Sequence, residues 1–176
     1  IKAKTRIAPY VNTTPVLTSS RLNELTNTDL FFKCENFQKS GSFKIRGATN
    51  TVLQLASDEL NRGIVTASSG NHGAALSMAV SRLGIKPKIV MPRNTPQVKI
   101  NNVIRNGGQI IWCDPNQTSR EKVLNDILNK TKSILVHPYN DERIIEGQGT
   151  VALELIEQCP ETVSYTHLRA HETQTH

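Results

Sequence analysis

The sequence has no stretch of about 18 consecutive apolar residues, so no segment is predicted to cross a membrane. Its first residues are basic and contain no apolar signal-peptide core, and because they lack an initiator methionine we expect the natural N-terminus to lie upstream. The three cysteines, Cys34, Cys113 and Cys159, are far apart and odd in number. They predict neither a disulfide framework nor a zinc site, and they favour the reducing cytoplasm as the compartment.

Aromatic residues and long runs of one charge are also scarce. Aromatic residues make up 5% of the chain and hydrophobic residues 37%, which predicts a globular protein with a core of modest size. The formal net charge is +6, but the lysines and arginines are scattered, without a basic run or interleaved aromatic residues. We therefore expect no nucleic-acid partner. A length of 176 residues allows one large domain or two small ones.

Short apolar runs alternate with helical patterns through the middle of the chain. Strands that alternate with helices at this interval predict βαβ units and a parallel sheet. Because ligands bind beyond the carboxyl ends of such strands, the residues after each run are the candidates for a site. The predicted strands are 64–66, 88–91, 109–112 and 133–136, and the helices between them are expected to stop at Gly84, Gly107–Gly108 and Asn129.

Weaker signals lie on both sides of this region. The segment 14–18 is expected to form an edge strand, where its proline is tolerated. The other expected elements are a helix within 1–12, a short helix capped by Ser19–Ser20, a strand leading into 33–35 and a helix that begins at 147–150.

Lys44 lies at the predicted start of a helix in which Ile45, Ala48 and Val52 recur at helical spacing. Ser42 is the expected N-cap, since its hydroxyl can accept a hydrogen bond from an amide of the first turn. A lysine at the positive end of a helix is disfavoured as an ammonium ion. This position therefore favours the neutral, nucleophilic amine that Schiff-base chemistry needs. The alternative is an ordinary solvated lysine in a first helical turn.

The segment Cys34–Ala48, CENFQKSGSFKIRGA, closely resembles the lysine segment of the pyridoxal-phosphate (PLP) enzymes of the tryptophan synthase β fold. Within that group it is most similar to the serine racemase and serine/threonine dehydratase family. The resemblance implies an α/β fold with the open, three-layer parallel sheets of PLP fold type II, the small domain whole and the large domain partial. It also implies that Lys44 holds the cofactor as a Schiff base and that Phe43 lies near the cofactor ring.

The segment Ala67–Gly73 joins the first strand of the regular region to a helix. Its hydroxyls, amide and imidazole at a helix N-terminus predict a clamp for a carboxylate or a phosphate. A Walker-type phosphate loop is excluded, because no Gly-Lys-Ser or Gly-Lys-Thr follows. The alternative is that Ser69 or Asn71 merely caps the helix and that His72 packs on the surface.

This segment also resembles the corresponding loop of the same PLP family. The resemblance implies that Asn71 contacts the 3-hydroxyl of the cofactor. Serine racemases of the family resemble this chain in having serine at the position of Ser69, where members that only eliminate water commonly have alanine. In the racemases that hydroxyl faces the side of the substrate Cα opposite the lysine. The residues implied to hold the substrate carboxylate are Ser68, Ser69, Asn71 and His72.

Other positions carry weaker expectations. Lys39 matches a position that contacts a nucleotide in the serine racemases regulated by ATP, but Ala74 stands where those proteins have glutamine, which disfavours nucleotide control. For the full-length protein the resemblance allows ATP and a divalent cation, Mg²⁺ or Ca²⁺, and no metal ligand is predicted among the residues present. Lys99 receives little functional weight, and His137 is interpreted as structural.

The resemblance extends over roughly residues 1–160, about the first half of a family member. The expected divisions are 1–62 as the N-terminal part of the large domain, 63–140 as the small α/β domain and 141–160 as a return helix into the large domain. Residues 161–176 lack apolar periodicity and turn signals, and we expect them to be a non-native tail. Because the glycine-rich phosphate loop of the family is absent, the chain as given is expected to be inactive and the intact gene product to be an enzyme.

The sequence thus predicts a PLP-dependent serine racemase that also has L-serine and L-threonine dehydratase activity. The alternatives are a threonine dehydratase of the same fold, a sulfhydrylase-like β-replacement enzyme, which its asparagine loop disfavours, and an inactive fragment that serves only as a binding module. The expected partner is a small amino-acid substrate, and the resemblance implies a homodimer when the protein has its full length.

Overall fold

The computed structural model describes residues 1–162, and the greater part of the predicted tail, from residue 163 onward, lies outside these described residues. In chain order the elements are α1 (Lys2–Ile7), β1 (Val16–Leu17), α2 (Ser20–Thr26), β2 (Phe32–Lys33), a 3₁₀ turn (Glu35–Phe37), α3 (Lys44–Val52), α4 (Ser57–Arg62), β3 (Ile64–Ala67), α5 (Asn71–Ser81), β4 (Lys88–Pro92), α6 (Gln97–Arg105), β5 (Gln109–Cys113), α7 (Gln117–Thr131), β6 (Ile134–Leu135) and α8 (Glu142–Gln158).

Four strands form the predicted parallel sheet, in the spatial order β5-β4-β3-β6. Every neighbouring pair is parallel, with Val65 opposite Lys88 and Ile64 opposite Ile134. The carboxyl ends of the strands therefore lie at one edge of the sheet, where ligands of such sheets bind. The α/β fold with a parallel sheet is confirmed. Strands β1 and β2 pair antiparallel in a separate two-stranded sheet.

The main core lies between the sheet and the helices α3, α5 and α8. The apolar face predicted for α3 is confirmed, since Ile45, Ala48 and Val52 are all buried. They belong to one cluster with Leu76 of α5 and Ile144 of α8. The helix that begins with Lys44 is thus held by packing on two sides.

Helix α8 crosses α3 at a pair of glycines. A Cβ atom on Gly147 would lie 2.5 Å from the Cα atom of Gly47, and a Cβ on Gly47 would lie 2.8 Å from the carbonyl oxygen of Ile144. Real Cβ atoms do not approach other atoms this closely, so the two backbones touch only because both residues lack a side chain.

Two predicted helix limits differ from the structure. Asn129 lies inside α7, which continues to Thr131 and ends where Lys132 adopts a left-handed conformation. Helix α8 begins five residues before Gly147, because the Asp141 carboxylate accepts from the Arg143 amide and caps it. The stops at Gly84 and Gly107 are confirmed, with φ angles of 74° and 87°.

Helix α4 was not predicted, and its short, mostly polar sequence explains why. No helix among residues 1–162 is both long and apolar enough to cross a membrane. The division into 1–62, 63–140 and 141–160 stays a prediction.

Candidate active site

Lys44 is the first residue of α3 and is half-buried. Its Nζ donates a hydrogen bond to the carbonyl oxygen of Pro138 at 3.1 Å and lies 5.2 Å from the centre of the Phe43 ring. The predicted position of Lys44 at a helix start is confirmed. Its amine is directed toward the segment that follows β6.

The predicted N-cap of this helix is wrong. The Ser42 hydroxyl is buried and has no hydrogen-bond partner among the described residues, and Phe43 occupies the cap position without a side-chain bond. The amide of Gly47 instead donates to Oε1 of Gln148, at 3.2 Å. Gly47 is the fourth residue of α3, one position beyond the amides that an N-cap side chain serves, so Gln148 contacts the first turn of α3 without replacing the cap.

The loop before α5 is organised by Ser68. Its Oγ accepts from the amide of Gly70 at 3.3 Å and from that of Gly73 at 3.1 Å. The alternative in which Ser69 or Asn71 caps α5 is therefore wrong, because Ser68 fills that place. The side chains of Ser69 and Asn71 are half-buried, and Ser69 lines a pocket at the strand ends.

His72 is completely buried, at 0% exposure, so the alternative that placed it on the surface is wrong. Its Nε2 lies 3.3 Å from the carbonyl oxygen of Val136, and its Nδ1 has no partner among the described residues. Burial, followed by the positive charge of Lys44, lowers the pKa of His72 to about 3. The imidazole is therefore neutral and donates from Nε2 to Val136.

The segment 136–138 thus joins two of the predicted site regions. Val136 receives His72 from the loop before α5, and Pro138 receives Lys44 from α3. Between them, Nδ1 of His137 accepts from the amides of Tyr139 and Asn140, at 3.3 and 2.8 Å. This supports the structural interpretation of His137, whose pKa is lowered by burial and pulled upward less strongly by Asp141.

A surface pocket of about 400 Å³ lies at the carboxyl ends of β4 and β5 and includes Ser69. The lining residues include two cations, Lys99 and Arg120, and no acidic residue. Two polar groups of the pocket have no hydrogen-bond partner among the described residues, Oγ1 of Thr95, which is 8% exposed, and Nε of Arg120. The pocket is therefore suited to an anion next to Ser69. Its lining is Ser69, Pro92, Asn94, Thr95, Pro96, Lys99, Pro115, Asn116, Gln117 and Arg120.

Arg120 was missed in the sequence, and Lys99 was given little weight. The only available signal was their position in the first turns of the helices that follow β4 and β5. Lys39 is exposed and does not line the pocket, so the structure does not bring it together with Ser69. Its role toward a nucleotide stays a prediction.

A buried ionic network anchors the other side of α3. Arg46 is 1% exposed and donates to both oxygens of Glu35, at 2.8 and 2.7 Å, and to Glu154 of α8, at 3.0 Å. Glu154 also accepts from Lys33. Burial alone would lower the pKa of Arg46, but the two carboxylates hold it above its usual value. Burial would raise the pKa of Glu154, but Arg46 and Lys33 hold it below its usual value.

No group of three histidine, cysteine, aspartate or glutamate residues within residues 1–162 is arranged to hold a metal ion. Cys34, Cys113 and Cys159 are free thiols in this part of the chain. The functional groups of the candidate site, within the described residues, are therefore amine, amide, hydroxyl and guanidinium groups.

The comparisons with known proteins agree with this geometry. A family model for pyridoxal-phosphate dependent enzymes matches residues 7–168, so the chain belongs to that family. More particularly, the chain is similar to the serine racemase of Arabidopsis thaliana, at 53% identity over 160 residues, which are 91% of this chain and 48% of that protein. A solved structure of maize serine racemase superimposes with a TM-score of 0.88 and 49% identity, covering 91% of this chain and 49% of the maize chain.

A further relative is the β-hydroxyaspartate dehydratase of Paracoccus denitrificans, which is 50% identical over 158 residues, 90% of this chain and 50% of that enzyme. The chain thus spans about half the length of the curated relatives it matches. The predicted membership of the PLP family, the predicted fold type and the prediction of an enzyme are confirmed.

Proposed function

We propose that the full-length protein is a PLP-dependent serine racemase that also removes the β-hydroxyl of serine or threonine. The observation that carries the proposal is the convergence of Lys44 and the loop 67–73, through His72, on the segment 136–138. Ser69 belongs to the same loop and lines the pocket at the ends of β4 and β5. A basic amine and a hydroxyl at one strand-end edge are the two groups that proton transfer on opposite faces of a carbon atom requires.

The residues present fit one end of PLP. Lys44 supplies a primary amine for the aldehyde, and Asn71 supplies an amide for the ring hydroxyl. The Nζ of Lys44 is directed into the protein rather than into water, since it donates to the Pro138 carbonyl. When bound, the cofactor supplies an electron sink that stabilises negative charge at the substrate Cα.

Two side chains of this chain, Lys44 and Ser69, are assigned one proton transfer each. In the proposal, the Lys44 amine would hold the cofactor, and the same amine in its neutral form would take the proton from the substrate Cα. Ser69, on the opposite face, returns a proton to Cα and gives the D-amino acid. Alternatively, the β-hydroxyl of the deprotonated substrate would leave with a proton as water, and a water molecule would then hydrolyse the remaining unsaturated amine to a 2-oxo acid and ammonia, so we expect both products.

The substrate carboxylate is assigned to the loop before α5. Ser69 and Asn71 offer donors at the positive end of that helix. Ser68 still has its hydroxyl proton to donate, because its oxygen only accepts from Gly70 and Gly73. The His72 ring is turned toward Val136, so we assign the ring the support of the loop. The predicted contact with the carboxylate is assigned to the His72 backbone amide, in the first turn of α5.

A second candidate is a dehydratase for a hydroxylated dicarboxylic amino acid. It is favoured by Lys99 and Arg120, which line the pocket beside Ser69 with no acidic residue among the lining. A second carboxylate on the substrate would pair with these cations. The similarity to a β-hydroxyaspartate dehydratase supports this candidate. Threonine dehydratase remains an alternative that Ser69 disfavours.

The Ser69→Ala variant of the full-length, PLP-loaded protein tests the proposal. We expect the wild type to convert L-serine into D-serine and pyruvate. The variant should lose D-serine formation by about 100-fold or more, because it lacks the second proton donor, and should keep pyruvate formation. Chiral chromatography and a pyruvate assay measure the two products.

Ser57→Ala, on the exposed start of α4, is the matched control and should behave as the wild type. Pyruvate alone from both the wild type and Ser69→Ala would make the protein a dehydratase. A kcat/KM for β-hydroxyaspartate far above that for L-serine would favour the second candidate. The homodimer, the divalent cation, ATP and the cytoplasmic location stay predictions for the full-length protein.

A further inference from the structure

Gln148 of α8 makes an unusual contact with the helix of Lys44. Its Oε1 accepts a hydrogen bond from the amide of Gly47, at 3.2 Å. Gly47 lies three residues after Lys44 and one turn along the same helix. The contact joins residues that are 101 positions apart in the chain, so it exists only when α8 is docked on α3.

The structure leaves room for this side chain. A Cβ atom on Gly47 would lie 2.8 Å from Cδ and 2.9 Å from Nε2 of Gln148. Only glycine therefore lets the amide of Gln148 reach the backbone at this place. Its Nε2 is buried without a hydrogen-bond partner among the described residues. The side chain therefore loses hydrogen bonds to water in the position where it binds the Gly47 amide.

Two neighbouring contacts fix the direction of α8. Gly147, the residue before Gln148, packs on the backbone of Gly47. Glu154, about two turns further along, is bonded to Arg46, which lies between Lys44 and Gly47 in the chain. The first turn of α3 is thus held by α8 from two directions, through Gln148 and through Glu154.

We propose that Gln148 is a positioning residue for Lys44. By holding the Gly47 amide it fixes the first turn of α3, and with it the direction in which the Lys44 amine leaves the helix. This inference rests on the proposed function of Lys44. It gives α8 a role in positioning Lys44. Because α8 is far from Lys44 in the sequence, no local sequence pattern indicates this role.

The test uses the full-length protein with Gln148→Met, which removes the acceptor, and Gln148→Glu, which keeps an oxygen for the Gly47 amide. Gln54→Met, at an exposed residue two positions beyond the C-terminal end of α3, is the matched control. Two measurements are made on each cofactor-free protein. One is hydrogen exchange at the Gly47 amide, and the other is the rate at which PLP and borohydride modify Lys44, followed by peptide mass spectrometry.

For Gln148→Met we expect exchange at Gly47 to be about tenfold faster, equivalent to about 1.4 kcal/mol, and modification of Lys44 to be slowed. In the loaded enzyme kcat should fall while KM for serine changes little. Gln148→Glu should restore exchange and modification toward the wild-type values, and Gln54→Met should match the wild type. Gln148→Asn, whose amide is one methylene shorter, should repeat the loss and serves if Gln148→Met does not fold.

Faster exchange at Gly47 with unchanged modification of Lys44 would reduce Gln148 to a structural role and overturn the proposal. Unchanged exchange in Gln148→Met would overturn it as well. If the wild type itself shows no modification at Lys44, the proposed function fails first, and that failure is visible without any variant.

Discussion

At the scale of single residues, the site combines a basic amine with a histidine that cannot act as a base near neutral pH. Lys44 and His72 both bind backbone carbonyls of the same short segment, 136–138. A cationic His72 would repel the Lys44 ammonium, so the neutral imidazole lets the two groups share this segment. Each of the two side chains supports the other's position through the backbone of that segment.

The burial of His72 predicts a loss of stability in mild acid. Its pKa is about 3 in the folded protein, against an ordinary value of 6.5. In the unfolded chain His72 is therefore protonated below about pH 6.5, whereas in the folded chain it stays neutral until about pH 3. Within that window the stability falls as the pH falls, by up to about 1.4 kcal/mol per pH unit from this residue. Urea unfolding of the full-length protein at pH 7, 6 and 5 measures it.

His72→Gln should weaken this pH dependence, because glutamine takes up no proton. His137→Gln is the comparison variant, and its smaller change is expected because His137 is only partly buried. If His72→Gln and the wild type lost the same stability between pH 7 and pH 5, His72 would not be the buried neutral group described here.

Where a residue stands in a local motif, its position in the fold was predictable from the sequence, and its role in the site stays a prediction. Lys44, Ser69 and Asn71 lie within two short segments, and the structure places those segments at one edge of the sheet. Ser42 and Arg120 show the limit. A local rule made Ser42 a cap, but the structure leaves its hydroxyl buried without a partner among the described residues, and Arg120 joins the pocket only because β4 and β5 are neighbours. Contacts of this kind depend on tertiary packing that no local pattern records.

At the scale of elements, the crossing of α3 and α8 depends on two glycines that leave no room for a side chain. Gly147→Ala would place a Cβ atom 2.5 Å from the Cα of Gly47. The helices must move apart, which we expect to cost about 1–3 kcal/mol of stability and to reduce activity through Lys44. Urea unfolding and the rate of D-serine formation of the full-length protein measure both effects.

Gly149→Ala is the matched control in the same helix. A Cβ at Gly149 would meet no atom within 4 Å, so alanine should be neutral or stabilising by up to about 1 kcal/mol through its helix propensity. Equal effects of the two substitutions would contradict the crossing described here.

The elements were largely predictable, since alternating apolar runs and helical patterns gave the sheet and its flanking helices. The errors fall at helix ends. Helix α8 was expected to begin at Gly147, because two nearby glycines, Gly147 and Gly149, are typical of a helix boundary in the sequence. In the structure it begins at Glu142. The structure uses Gly147 for close approach to α3 instead.

At the scale of the whole molecule, contacts between distant parts of the chain hold the Lys44 helix. Glu154 of α8 accepts from the amide of Thr14 and from Lys33, and it shares Arg46 with Glu35. Removing one member of such a buried network leaves a charge without its partner, which is far more costly than the pair itself is stabilising. The first 60 residues and α8 therefore behave as one support for the site.

The measurement that tests the central claim most directly is the identification of the residue that PLP modifies. The full-length protein is incubated with PLP, reduced with borohydride and digested, and the modified peptide is sequenced by mass spectrometry. We predict one stoichiometric adduct, on Lys44, with none on the exposed Lys39 five residues earlier. An adduct on another lysine, or none on Lys44 at saturating PLP, would contradict the account.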